Sequence, residues 1–211
     1  MDKTFMEAMD FRHACKIFDE TKKISDEDMN FILEAGRKSP SSFGMEPWKF
    51  LVITNEELKA KIRPFCWDQV QVTSCSHLVV ILAAIESVKP ESGVPAKRFA
   101  RREMPQEKKD FYNNLYKNHL TITNVLQNDD QVFAWTARQT YIPMANMMTA
   151  AAVRGIDSCP IEGFERENVE KVLNLDTSKY RLSVVVPFGY RINPQSNQMR
   201  LSFDEVVEYI K

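Results

Sequence analysis

The run Arg12-His13-Ala14-Cys15-Lys16 packs two permanent cations, an imidazole and a thiol into one short stretch of a chain with three histidines and four cysteines. Three chemistries suit such a run. A tetrahedral metal centre needs converging Cys and His ligands. His13 and Cys15 have no second close pair to join, and Cys66, Cys75 and Cys159 show no CxxC spacing, so no metal is expected. A nucleophilic thiol at Cys15 would gain from neighbouring cations, which favour the thiolate. A strand-like period across the run instead turns Cys15 toward the core as an inert buried thiol. The third chemistry is an anion cradle, with the planar fork of Arg12 suited to phosphate and Lys16 acting as a point charge. A solvated basic turn competes with it, and composition alone favours the turn.

Two further stretches have loop chemistry. Ser39-Pro40-Ser41-Ser42-Phe43-Gly44 follows a helix, offers hydroxyls and a flexible glycine, and leads through Pro47 and Trp48 into an apolar run. Ser158 to Phe164 sets Pro160 and Gly163 around Glu162, an irregular backbone whose amides are not committed to a ladder and could donate to a ligand.

The elements that must hold these loops can be read from periodicity. Ser25 followed by Asp26, Glu27 and Asp28 is a helix start, with Met29, Ile32, Leu33 and Gly36 on one face and an end near Lys38, before Pro40. Residues 49–54 and 77–85 are short, apolar and β-branched, as buried strands are, and 181–189 is a third strand. Asn55 caps a short helix between the first two. Helical spacing recurs from about Arg98 to His119 and again over 167–173. Residues 128–155 form a long apolar helix stopped by Gly155, with Pro143 expected to kink or widen it. Strands without regular βαβ spacing favour an α+β sandwich over a doubly wound sheet.

Composition sets the outer bounds. The chain has 211 residues, 44% of them hydrophobic, enough for one domain over 1–211 with a sizeable core. With 28 basic and 29 acidic residues the charge nearly cancels, so neither a nucleic-acid surface nor a polybasic membrane patch is expected. The charged N-terminal segment does not read as a signal peptide, and the longest apolar run, 78–85, is too short for a bilayer. Unpaired cysteines and no secretion signal suggest a cytoplasmic protein. No Ser-His-Asp arrangement is evident. No GxGxxG follows a strand, so a resident Rossmann site for a dinucleotide is not expected.

Five stretches occur in the order shown by the FMN-dependent nitroreductases: 12–20 (RHACKIFDE), 39–50 (SPSSFGMEPWKF), 71–80 (QVTSCSHLVV), 155–164 (GIDSCPIEGF) and 199–207 (MRLSFDEVV). The chain resembles the oxygen-insensitive NAD(P)H branch of that family from about residue 10 to 207. The resemblance implies an α+β sandwich with a central, mostly antiparallel sheet flanked by helices, in an intertwined homodimer holding FMN at the subunit interface. It implies that Arg12, His13, Ala14 and Lys16 form the N-terminal flavin segment, with Arg12 on the phosphate and Lys16 near the pyrimidine edge of the ring. It puts Ser41, Ser42 and Gly44 of the partner subunit at the flavin, and Asp68 and Gln71 on its ribityl or pyrimidine side. Pro160, Ile161, Glu162 and Gly163 would lie along the ring with the Glu162 amide facing N5, and Arg200 would be a second phosphate ligand. Phe111 and Tyr112 would sit over the substrate pocket.

The family pattern departs here at five positions: it usually has Ser at Ala14, Asn at Gly44, Gln at Glu46, Asn at Asp68 and a basic residue at Gln198. These exchanges imply fewer bonds to FMN and more negative charge near the groove. The implied function is reduction of nitroaromatic, quinone or related acceptors, with NADH or NADPH and acceptor visiting one flavin face in turn. A cation at N1 and O2 would favour the charge that reduction leaves there, making Lys16 and the Glu162 amide the catalytic pair. Pteridine or flavin reduction, reductive dehalogenation and a non-catalytic flavin-binding module are the alternatives. Trp67, His77, His119 and the Met-rich stretch 143–148 are expected to be core or helix-packing residues with no functional role.

Overall fold

The computed structural model of the chain describes residues 2–211. Its centre is a four-stranded antiparallel sheet of β1 (Trp48–Ile53), β2 (His77–Ala84), β3 (Asp157–Ser158) and β4 (Tyr180–Gly189), in the order β1-β2-β4-β3. β2 is buried along its whole length, which is why residues 78–85 read as a continuous apolar run and not as an alternating one. Leu78, Val80 and Leu82 face one layer, built from α3 (Glu56–Ile62), α4 (Gln71–Ser74) and α8 (Arg166–Val172). Val79 and Ile81 face the other, built from α2 (Asp26–Arg37) and α7 (Asp129–Val153). The fold is thus the expected α+β sandwich.

Most expected boundaries hold within a residue or two. Ser25 caps α2 by accepting from the Asp28 amide, and Asn55 caps α3 by accepting from the Leu58 amide at 2.8 Å. Gly36 lets α2 approach α7: a Cβ there would stand 2.8 Å from Cγ of Met147. Against the expected kink or widening, α7 runs as one continuous helix through Pro143. Met144, Met147 and Met148 are buried under it, as packing residues.

One element had no counterpart in the sequence reading, and two expectations need correction. The N-terminal segment forms α1 (Phe5–Phe11), begun by a capping box in which Thr4 and Glu7 exchange side-chain and backbone bonds. The helical span from Arg98 to His119 is two helices, α5 (Val94–Ala100) and α6 (Gln106–Ile122). Pro105, at the N-cap of α6, cannot continue the first. Trp67 is no core residue: it lies in the left-handed region at φ 53° and is 71% exposed. A short α9 (Phe203–Val206) follows β4. Among the described residues no helix is long and apolar enough to cross a membrane.

The fully buried Lys59 braces the 71–75 turn, its Nζ donating to the carbonyls of Cys75 (2.7 Å) and Thr73 (3.4 Å) and pairing with Glu56 at 2.9 Å. Removing it orphans two carbonyls and leaves a void. Lys59→Ala should therefore cost about 3 kcal/mol of unfolding free energy in a urea titration. A loss under about 1 kcal/mol would show that the buried ammonium contributes little.

Candidate functional site

β3 carries the site because it pairs on both sides. Asp157 and Ser158 register with Gly189 and Phe188 of β4, while Ala14 bridges Ser158 in parallel and the Cys15 amide donates to the Ser158 carbonyl at 3.1 Å. The N-terminal run 12–16 is thereby laid along 157–163. Cys15, alternating inward, is buried at 3% exposure, whereas Ala14 and Lys16 face out.

Asp157 fixes this junction. It is buried and accepts from the Arg191 Nε (2.8 Å) and amide (2.9 Å), and the same guanidinium donates to the Phe11 carbonyl. The His13 Nδ1 stands 3.7 Å from Asp157, too far for a hydrogen bond, and has no other partner among the described residues. Burial and the Arg191 charge hold His13 below the ordinary imidazole range.

One step along, the Lys16 ammonium reaches the buried Cys159 sulfur at 3.7 Å, and the buried Gln71 amide reaches it at 3.9 Å. A thiol is a weak acceptor, so Lys16 keeps donor capacity to spare. Burial pushes the Cys159 thiol up, opposed by Lys16 and Gln71. Ile161 closes both backbone bonds with Val185 (2.8 and 3.2 Å). Among the described residues the next amide, Glu162, donates to no acceptor. The Glu162 carboxylate is held by the Tyr141 hydroxyl of α7. Burial and that carboxylate push the Tyr141 phenol up. The Trp67 ring lies on Gly163, where a Cβ would come within 2.6 Å of it, and Gln69 donates to the Gly163 carbonyl at 3.0 Å.

The structure therefore gathers Ala14, Lys16, Gln71, Pro160, Ile161, Glu162 and Gly163. Asp68 does not join them; its side chain is 76% exposed and ion-paired with Arg63 at 2.9 Å. Arg12 makes no side-chain hydrogen bond or ion pair among the described residues, and Arg200 bonds only the Met199 carbonyl. Gln198 brings their segments alongside each other by donating to the carbonyls of Met9 (3.0 Å), Asp10 (2.9 Å) and Arg12 at the end of α1.

Ser41, Ser42 and Gly44 lie elsewhere. The Ser42 amide donates to Gln139 of α7 at 2.8 Å, and Ser39 accepts from Asn146 at 2.8 Å, one heptad along the same helix face. Gly44 adopts φ +65°, a left-handed geometry that suits glycine. Arg102 donates to the Phe43 carbonyl at 2.7 Å and stacks over Phe99 and Tyr112, so the 39–46 segment is tied to α6. On α6, Tyr112 stacks with Phe99 and Phe111 is 61% exposed. His119 also packs there, against Phe43. Since successive helix residues turn about 100°, Gln139 and Tyr141 point roughly 200° apart. The 41–44 and 160–163 segments thus sit on opposite flanks of α7. Two surface grooves of the single chain, one lined by Asp130, Arg166, Glu170 and Arg181, the other by Phe31, Trp48, Phe50 and Arg154, contain none of the expected site residues.

The sequence model of the nitroreductase family matches residues 9–190. The chain belongs to the nitroreductase family, a family of oxidoreductases. A Haemophilus influenzae protein named as an NAD(P)H nitroreductase is 43% identical over 208 residues, covering 94% of this chain and 93% of that one. A Bacillus subtilis protein so named is 41% identical over 216 residues, covering 97% and 96%. Among solved structures, a nitroreductase of Exiguobacterium sibiricum in complex with FMN aligns with a TM-score of 0.79 at 24% identity, covering 98% of this chain and 97% of that one. A nitroreductase-like protein of Streptococcus mutans aligns at 0.87 and 16%, covering 98% of each. At those identities the solved structures establish the nitroreductase fold.

The site contacts of Asp157, Cys159, Tyr141, Trp67, Gln139 and Arg102 escaped the sequence reading. Their partners are far along the chain, and only the placement of Cys159 inside the Ser158–Phe164 loop hinted at one of them.

All four cysteines are free and buried, and burial pushes Cys15 and Cys66 up to about 11 and Cys75 to about 12. Native protein at neutral pH should react with a thiol reagent at essentially no site, and protein in denaturant at all four. Rapid native labelling of Cys15 or Cys159 would contradict this and reopen the nucleophile reading.

Proposed function

We propose that the protein is an FMN-dependent NAD(P)H oxidoreductase reducing nitroaromatics, quinones or related small acceptors by alternating, two-electron turnover. The observation that carries this reading is the pairing of a backbone amide at Glu162, unpartnered among the described residues, with a lysine whose only described side-chain partner is a thiol, on adjoining segments. That donor set fits an isoalloxazine ring: an amide for a ring nitrogen and an ammonium for its electron-rich edge. Arg12 and Arg200, neither paired with a carboxylate among the described residues, suit a phosphate dianion. When bound, FMN would supply reversible two-electron storage between nicotinamide and acceptor. The chain's own part is to orient the ring through the Glu162 amide, offset negative charge with Lys16 and leave one face open to each substrate in turn.

A homodimer fits the same geometry. Between the flanks of α7 runs a stripe of Arg138, Ile142, Ala145 and Thr149, of which the first three are exposed. A second copy laid across that stripe would join the 160–163 flank of one chain to the 41–44 flank of the other. Beyond β4, Met199, Leu201, Phe203, Tyr209 and Ile210 are 62–92% exposed, apolar surface suited to wrapping a second copy.

The test begins with the absorption spectrum of purified protein, which should show bound flavin and bleach anaerobically with NADPH; colourless protein that takes up no FMN sinks the reading. Lys16→Met should then lower the two-electron midpoint by roughly 30 mV, the equivalent of about 1.4 kcal/mol. Hydride uptake should slow in parallel. An unshifted midpoint with weaker FMN binding would make Lys16 a phosphate ligand only.

A further inference from the structure

The chain carries almost no net charge, yet Arg98, Arg101 and Arg102 stand together at the end of α5. The one carboxylate paired with any of them among the described residues is Glu46, 3.7 Å from Arg101. Arg98 is half-buried, its solvent-inaccessible Nη1 has no hydrogen-bond partner among the described residues, and the ionisable groups that act on it are Glu46, Arg101, Tyr180 and Tyr116. Burial holds its guanidinium below the ordinary arginine range. A desolvated cation with an orphan donor is costly to keep unless something anionic completes it.

The cluster also sits beside the expected substrate machinery. Arg102 is committed to the Phe43 carbonyl at 2.7 Å and lies next to Gly44, where a Cβ would meet its Nη2 at 3.0 Å. It covers Tyr112, and Phe111, edge-on to Tyr112, leaves an aromatic face in solvent. Planar guanidinium forks match phosphate oxygens two at a time, and an exposed aromatic face suits a purine. No Gly-rich strand–helix turn is available to hold a dinucleotide.

We propose that Arg98 and Arg101, positioned by Arg102 beside the 41–44 segment, form the anchor for the phosphates of the nicotinamide dinucleotide. This rests on the NAD(P)H reading above and assigns the charge that holds the visiting reductant. Glu46 competes with the phosphates for Arg101 and so weakens the anchor.

The test is steady-state kinetics of the FMN-loaded protein with NADPH, NADH and the phosphate-free donor 1-benzyl-1,4-dihydronicotinamide. Arg98→Gln and Arg101→Gln should each raise KM for NADPH about tenfold, or about 1.4 kcal/mol, with little change in kcat. Glu46→Gln should lower that KM, and turnover with the benzyl donor should stay at the parent's level in all three. A larger rise for NADPH than for NADH assigns the 2′-phosphate to the cluster, and equal rises assign the pyrophosphate. Unchanged KM for both dinucleotides, or equal impairment with the benzyl donor, overturns the anchor. Arg101, with its side chain 60% exposed, keeps the test decisive if Arg98→Gln fails to fold. Failure of the oxidoreductase reading shows separately, as a parent protein that accepts electrons from neither dinucleotide.

Discussion

The angular geometry of one helix governs the rest of the structure. α7 holds the Ser41–Gly44 segment through Gln139 and the Pro160–Gly163 segment through Tyr141, and two helical residues place those contacts on opposite flanks. Neither anchor can migrate: α7 is pinned by Met144, Met147 and Met148 under the sheet and by the close approach of Gly36 from α2. The segments resembling one flavin site therefore stay divided within a chain. In the homodimer proposed above, the exposed stripe along α7 and the apolar C-terminal surface are the faces for a second copy.

The 160–163 flank is preorganised by buried polar groups rather than by apolar packing alone. Asp157 locks Arg191 and the end of α1, Lys59 braces the turn that carries Gln71, and Ile161 completes both bonds to β4. What these anchors leave unsatisfied is the donor set: the Glu162 amide, the spare capacity of Lys16 and the guanidinium of Arg12. The departures from the family pattern find uses inside the chain. Gln198 donates to carbonyls at the end of α1, Asp68 pairs with Arg63 and Glu46 pairs with Arg101. Gly44 occupies a left-handed conformation that the family's Asn also tolerates. Nothing in the structure accounts for Ala14 beyond its bridge to Ser158.

Local signals were legible wherever a residue's role depends on near neighbours. Caps at Ser25 and Asn55, the three long strands and the inward thiol of Cys15 all follow from period and punctuation, and so would the Thr4–Glu7 box have done. Pro105 carried a break that helical spacing across 98–119 masked. The site was legible as ordered motifs, not as geometry. Lys16 meets Cys159 only because Ala14 bridges β3, a pairing between distant segments, and Tyr141 of α7 meets Glu162 in the loop after β3. Trp67 read as core because large aromatics usually are; its left-handed backbone turns it out onto Gly163.

Whether one catalytic site draws on two chains is open to a direct measurement by subunit complementation. One variant carries Arg12→Ala with Lys16→Met, disabling the 12–16 and 160–163 flank; the other carries Ser42→Glu, disabling the 41–44 flank. Each should be nearly inactive alone as a homodimer. In a mixed dimer, a site divided between chains leaves one of the two sites wholly intact, so random mixing should restore about a quarter of the parent's NADPH-dependent activity. Mixed dimers, verified by mass, that stay as inactive as either variant would contradict the divided site.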